Sequence, residues 1–357
     1  MTHMTDKQEV TEQQIRAVFD SLIEPQLKWS INSLNLLKQV RITDNKVALR
    51  INLLTHDHEA IRAFSEEAKS KVRQLGATAV TVDIDHVHVA TEGIAGVRSI
   101  ILVGSGKGGV GKSNVAVNLA AALSRSGQRV GLMDADIYGP SIPTMLGVTQ
   151  KPQVLPDDYL MPIEAYGMKT MSVGYLIDPK QALDWRGNLA SGTILQFFQK
   201  TFWGELDTLI VDLPPGTGDI PLTIAHKIKG NGIVMVTTPQ ELACGDVRRA
   251  ITLYQDRKIP LLGLVENMSY LVCEKCSHIN TPFPSSEQGL SDIDLLLQIP
   301  ICRAMAEAAD RGHPFVLQSP PHDLQGLFLE LAQKVTIKLN PDSPTLKHKE
   351  VACLSGS

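Results

Sequence analysis

Four groups of residues have the types and spacing to do chemistry. The first is Gly106-Lys107-Gly108-Gly109-Val110-Gly111-Lys112-Ser113, which satisfies G-x-x-x-x-G-K-[ST]. Glycines in such a loop let backbone N–H groups curl around phosphate oxygens, at a helix start that already favours anions. Lys112 would reach the β- and γ-phosphates of ATP, and Ser113 would offer its hydroxyl to Mg²⁺. Gly104, Gly106 and Gly109 also fit the dinucleotide pattern G-x-G-x-x-G, with Asp134 ending the next strand. A dinucleotide site has no use for the Lys-Ser ending, so the phosphate loop is the better reading. The second group is Asp134 and Asp136, at a strand end where ligands bind in open α/β sheets. The third is Asp212, which ends Leu209-Ile210-Val211 as a Mg²⁺-holding acid should. Behind it lies Pro214-Pro215-Gly216-Thr217-Gly218-Asp219, a stiff turn suited to sensing a γ-phosphate. The fourth is Cys273-Glu274-Lys275-Cys276, two soft thiolates at a bite suited to Zn²⁺ or an Fe–S centre. One pair cannot complete a four-ligand site, whereas a two-fold dimer would bring two pairs together. On the residues alone an Fe–S centre, a half zinc ribbon (with His278 as a further ligand) and a pair of inert thiols all stay open.

These groups need elements to position them. A helix is expected over Thr11 to Leu22, from Ile15, Val18, Phe19 and Leu22 at helical spacing. Strands follow at Val47–Leu53 and Thr81–Asp85, with a helix from Glu59 to Leu75 closed by Gly76 between them. Residues 9–90 thus read as a small α/β domain, after a disordered 1–8 and before a linker at 91–98. From 99 to 340 apolar strands alternate with helices. Strands are expected at Ser99–Val103, Arg129–Met133, Thr208–Val211, Gly232–Val236 and Leu261–Val265. Helices are expected at Gly111–Ser126, Asn188–Phe202, Asp246–Arg257 and Leu324–Leu339. That rhythm implies a mostly parallel sheet covered by helices on both faces, an α/β P-loop NTPase. Residues 341–357 read as a flexible tail.

Composition narrows the class. Apolar residues make up 43% of the 357, enough for a core. The net charge of −4 argues against a partner held by bulk charge, so no nucleic acid is expected. Five cysteines are too few for a disulfide scaffold. The polar N-terminus has no secretory h-region, and no apolar run approaches the roughly 18 residues of a membrane span, so a cytoplasmic protein without a membrane partner is expected. Cys244 and Cys302 read as core residues, Cys353 lies in the tail, His86 and His88 read as surface histidines, and Trp29, Trp185 and Trp203 as packing.

Lys107 is not required by the ordinary phosphate loop. With it, the stretch Gly106–Ser113 resembles the deviant Walker A of the MinD/ParA class. Asp134-Ala135-Asp136-Ile137-Tyr138-Gly139-Pro140-Ser141, Trp185-Arg186-Gly187, Asp212–Asp219 and Val265-Glu266-Asn267-Met268-Ser269-Tyr270 narrow this to the Mrp/ApbC-type iron–sulfur cluster carrier ATPases, over about 99–314. The first domain resembles the small MIP18-like domain that precedes many bacterial members. The resemblance implies a slow ATPase in which Lys107 crosses a homodimer interface to the partner's phosphates, Lys112 binds phosphate and Asp136 positions the attacking water. It implies that Ser113 and Asp212 hold Mg²⁺, and that Gly106 to Asn114 and Asn267, which reads the adenine edge, bind ATP. It implies a [4Fe-4S] cluster bridging Cys273 and Cys276 of both chains, received from a donor and passed to apo iron–sulfur proteins. The sequence departs from the family at Asn114 (usually Thr), at Asn188 (usually Pro), at Thr281–Glu287 (usually a Gly-rich turn) and at His56-Asp57-His58, where relatives often carry a cysteine. A positioning ATPase of the MinD/ParA kind, which binds membrane or DNA, a zinc-stabilised regulatory ATPase and a P-loop kinase are the rival readings.

Overall fold

The computed structural model describes residues 10–25, 28, 30–32, 34, 36–53, 55, 57–86, 94, 96–155, 158–176, 187–273, 275–283, 290, 292–318 and 324–339. Expectations about Trp29, His56, His88, Trp185, Arg186, Glu274, 284–287, Cys353 and both termini fall outside them. The chain divides into two compact units, Met1–Gly96 with Gln153–Met161, and Val97–Pro152 with Pro162–Ser357. The expected linker therefore ends early: Val97 already pairs with Leu206 in a strand.

The first unit holds α1 (Glu12–Phe19), β1 (Leu37–Thr43), β2 (Lys46–Leu53), α2 (His58–Gln74) and β3 (Ala79–His86). A capping box between Thr11 and Gln14 starts α1, and the Asp57 side chain caps α2. β1 and β2 form an antiparallel hairpin whose turn residues Asp44 and Asn45 both have positive φ. β2 and β3 are parallel, so α2 is the crossover between them. Ile15, Phe19, Leu49, Ile51, Phe64 and Val72 are buried in its core.

In the second unit β4 (Val97–Ser105) leads to α3 (Lys112–Arg125), β5 (Val130–Asp134), α4 (Ile142–Met145), β6 (Ile163–Ala165), β7 (Met168–Ser172) and α5 (Gly187–Lys200). Then come β8 (Leu206–Asp212), α6 (Asp219–Ile228), β9 (Gly232–Thr237), α7 (Glu241–Asp256), β10 (Leu261–Glu266), β11 (Leu271–Val272), β12 (Ile279–Asn280), β13 (Leu295–Gln298), α8 (Arg303–Asp310) and α9 (Leu324–Leu339). Eight strands pair in the order β13-β10-β9-β4-β8-β5-β7-β6, parallel except for the β6–β7 edge. Continuous apolar runs suit strands covered on both faces, and every residue of β5 and β9 is buried. After β8 the chain crosses to the other side of β4, which makes the end of β4 a topological switch point, the place where such sheets bind ligands. Alanine-rich α3 is buried over most of its length between the sheet and α9.

Helix α7 begins at Glu241, five residues before the expected Asp246, and absorbs Gly245 at a cost of about 1 kcal/mol relative to alanine. The sequence reading did not anticipate β1, β6, β7, β12, β13, α4, α6 or α8.

Candidate nucleotide site and cysteine hairpin

The loop between β4 and α3 is shaped by glycine where no other residue fits. A side chain on Gly106 would meet the backbone of Asp246 and Val247 in α7 at 2.4 Å. Gly111 has φ +83° and would place a Cβ 2.2 Å from the Asn267 amide. Gly111 caps α3 without any side-chain bond, so the first N–H groups of the helix face the loop unclaimed by a cap. A pocket of about 200 Å³ opens there, lined by Lys107, Gly108, Gly109, Lys112, Ser113, Asn114 and Asp136 among others. Val110 turns inward and is 2% exposed.

The charges converge on Lys112. Its Nζ donates to Asp212 Oδ1 at 2.6 Å and to Ser113 Oγ at 3.3 Å, and lies 4.0 Å from Asp136 Oδ2. Lys112 is 6% exposed and Asp212 fully buried. The second oxygen of Asp212, Oδ2, has no hydrogen-bond partner among the described residues. A buried carboxylate oxygen without a donor is what a cation or its water would satisfy. Burial raises the Asp136 carboxyl above its ordinary value, against the opposing pull of Lys112. Tyr138 and Gly139 donate backbone N–H groups to it.

Asp134 organises this loop. One of its oxygens accepts the Asp136 N–H (3.1 Å). The other accepts the Ile142 N–H (3.2 Å) and the Ser172 hydroxyl (3.0 Å). Burial, then the neighbouring Asp212, pushes its carboxyl up to about 7. The sequence placed Asp134 at the site but gave no sign of this bracing, because Ser172 lies on another strand.

Asn267 sits behind the loop rather than open to solvent. Its Nδ2 donates to Val110 O at 2.9 Å and its Oδ1 accepts the Met268 N–H, so the side chain braces the phosphate loop. Gly216, at φ +95°, bonds Ser105 O through its N–H, while Thr217, Gly218 and Asp219 lie exposed beside the site. Lys107 is partly exposed and forms no ion pair with a described residue.

The cysteine pair caps the short hairpin of β11 and β12. Leu271 pairs with Asn280 and Val272 with Ile279. The Cys273 N–H donates to His278 O, and the Ser277 N–H returns to Cys273 O. Cys273 is half-buried and Cys276 exposed, and neither is in a disulfide with a described residue. No group of three or more His, Cys, Asp or Glu able to hold a metal occurs among the described residues. Cys244 is buried in α7, Cys302 is packed partly into the core, and Trp203 is 1% exposed, all as packing residues.

Comparison with known proteins places this geometry. Residues 96–336 match the family described as NUBPL iron-transfer P-loop NTPase, and residues 12–84 match the iron–sulfur cluster assembly protein family. The iron–sulfur cluster carrier protein of Escherichia coli K12 is 39% identical over 328 residues, 88% of this chain and 89% of the relative. The iron–sulfur protein required for NADH dehydrogenase of Arabidopsis thaliana mitochondria is 41% identical over 261 residues, 70% of this chain and 82% of its own. Among solved structures, a nucleotide-binding protein of Archaeoglobus fulgidus in complex with ADP superposes with TM-score 0.56 at 38% identity, covering 65% of this chain and 92% of that one. The cell division ATPase MinD of Pyrococcus furiosus shares the fold, with TM-score 0.50 at 23% identity over 67% of this chain and 98% of its own. By the match over most of its length, this chain belongs to the NUBPL iron-transfer P-loop NTPases, the iron–sulfur cluster carrier family.

Proposed function

We propose that the chain is an ATP-hydrolysing carrier that binds a [4Fe-4S] cluster between two copies of itself and transfers it to apo iron–sulfur proteins. The observation that carries the reading is the hairpin. It offers two accessible thiols and no further ligand among the described residues, half of a four-thiolate site. A second copy related by a two-fold axis supplies the other half. The A. fulgidus relative binds ADP, and the E. coli relative is named for carrying clusters.

The phosphate loop, from Gly106 to Asn114, wraps the phosphates of ATP. Lys112 leaves Asp212 to neutralise them, and Lys107 reaches the nucleotide of the partner copy. Ser113 and Asp212 would hold Mg²⁺, which fits the unpartnered Asp212 Oδ2 and supplies positive charge to the phosphate oxygens. Asp136, held by the Tyr138 and Gly139 N–H groups, positions the water that attacks the γ-phosphorus. Asn267 links the two chemistries. Its side chain touches the phosphate loop at Val110, and Cys273 follows only six residues later. Between them Ser269 and Tyr270 are pinned to Ile299 and Ile301 by backbone bonds. A shift of the phosphate loop on hydrolysis therefore has a short, tethered route to the thiols. No helix among the described residues is long and apolar enough to cross a membrane.

Anaerobic reconstitution with iron and sulfide, followed by metal analysis and an absorbance spectrum, tests the proposal. About four irons per two chains are expected. Cys273→Ser is expected to lose the cluster and still bind ADP. Stoichiometric zinc without iron, or full cluster retention in Cys273→Ser, overturns the reading.

A further inference from the structure

Resting on the nucleotide-site reading above, we propose that Asn114 presents a carboxamide N–H to the phosphate chain of the bound nucleotide, and that Asn118 is the positioning residue that turns it there. Which way round a carboxamide points is set by partners that cannot exchange donor and acceptor roles. The Val316 N–H can only donate, and it donates to Asn118 Oδ1 at 2.9 Å. That fixes Nδ2 of Asn118 on the opposite branch, where it donates to both the backbone oxygen and Oδ1 of Asn114, each at 2.9 Å. A donor against Oδ1 fixes Asn114 in turn, so its Nδ2 lies on the free branch. That Nδ2 has no hydrogen-bond partner among the described residues, and Asn114 lines the pocket together with Lys107, Lys112 and Ser113.

The relay is rigid at its source. Val316 is fully buried and Asn118 only 2% exposed, so water does not compete for these bonds. The carbonyl of Val316 is held as well, by Arg125 Nη1 at 2.9 Å. A threonine at position 114 would instead carry a hydroxyl, which rotates to suit its partner and needs no such orientation. The relay thus makes the Asn114 amide behave as a fixed donor to an anion.

Calorimetric titration of the full chain with ADP and with adenosine tests this, with thermal melts confirming that each variant is folded. Asn114→Asp replaces the donor by a negative acceptor. It is expected to weaken ADP by about 10- to 100-fold, the effect of one hydrogen bond to a charged group, and to leave adenosine unchanged. Asn118→Asp still accepts from Val316 but cannot donate to Asn114, and is expected to weaken ADP several-fold. In the Asn114→Thr background the same Asn118→Asp change is expected to have no further effect, because the hydroxyl needs no orienting. Equal losses in both backgrounds would show that Asn118 acts only structurally and would overturn the proposal, as would unchanged ADP affinity in Asn114→Asp. Failure of the unmodified chain to bind ADP would instead remove the nucleotide-site reading itself.

Discussion

Lys112 and Asp212 show what one residue contributes on each side of binding. They neutralise each other at 2.6 Å, both nearly or fully buried. Such a pair adds little net stability, because taking two charges out of water costs about what their attraction returns. Removing one partner is different, since it strands a charge in the interior. Lys112→Ala is therefore expected to abolish ATP hydrolysis, read by phosphate release, and to lower stability by about 3 kcal/mol in urea unfolding. Normal turnover in that variant would sink the assigned role. Lys112 and Ser113 were legible from spacing alone, since loop and helix start are local. The bracing by Asp134 and the orientation of Asn114 were not, because Ser172 and Val316 come from distant parts of the chain.

At the scale of elements, the long apolar strands and α9 were readable because burial on both faces leaves a continuous apolar signature. β6 and β12 are too short to carry a pattern, and β1 is an edge strand in which only Leu37 is fully buried. Strand starts also need fastening. The Asp207 carboxylate, at the start of β8, takes Arg129 Nε at 3.1 Å, Nη2 at 2.9 Å and the Arg129 N–H at 2.9 Å, where the chain enters β5. The hydrogen bond from Arg129 is the main cause that lowers Asp207 to about 2. A carboxylate lowered in the folded state contributes stability above its unfolded value, and that contribution is lost as pH falls through the folded value. Asp207→Asn should thus cost about 1 kcal/mol at neutral pH, a modest figure because the pair is partly solvent-screened. The gap between variant and parent should close between about pH 4 and pH 2. A gap that persists at the acid end of urea-denaturation series would contradict this account of the clamp.

For the whole molecule, the second unit holds the candidate nucleotide pocket and the hairpin that carries Cys273 and Cys276. The proposal makes completion of both depend on a second copy. Lys107 is the residue to test, because it lines the pocket yet pairs with no described acidic side chain. Lys107→Ala is expected to stay monomeric in sedimentation velocity at ATP concentrations that dimerise the parent chain. Dimerisation equal to the parent would mean that the lysine does not cross the interface.

The sequence by itself determined the chemistry on offer: a loop of glycines ending in Lys-Ser, aspartates at strand ends and a C-x₂-C pair. It also determined the alternating elements that carry them. These are local properties, set by residue type and periodicity within a few turns of chain. Only the tertiary structure decided which groups meet. Asp212 reaches Lys112 across 100 residues, Asn267 reaches Val110 across 157, and Val316 orients Asn118 across 198. Nothing local encodes such pairings. They exist because the order of strands about β4 brings distant segments to one end of the sheet, where burial strengthens each bond and makes an unpaired group costly.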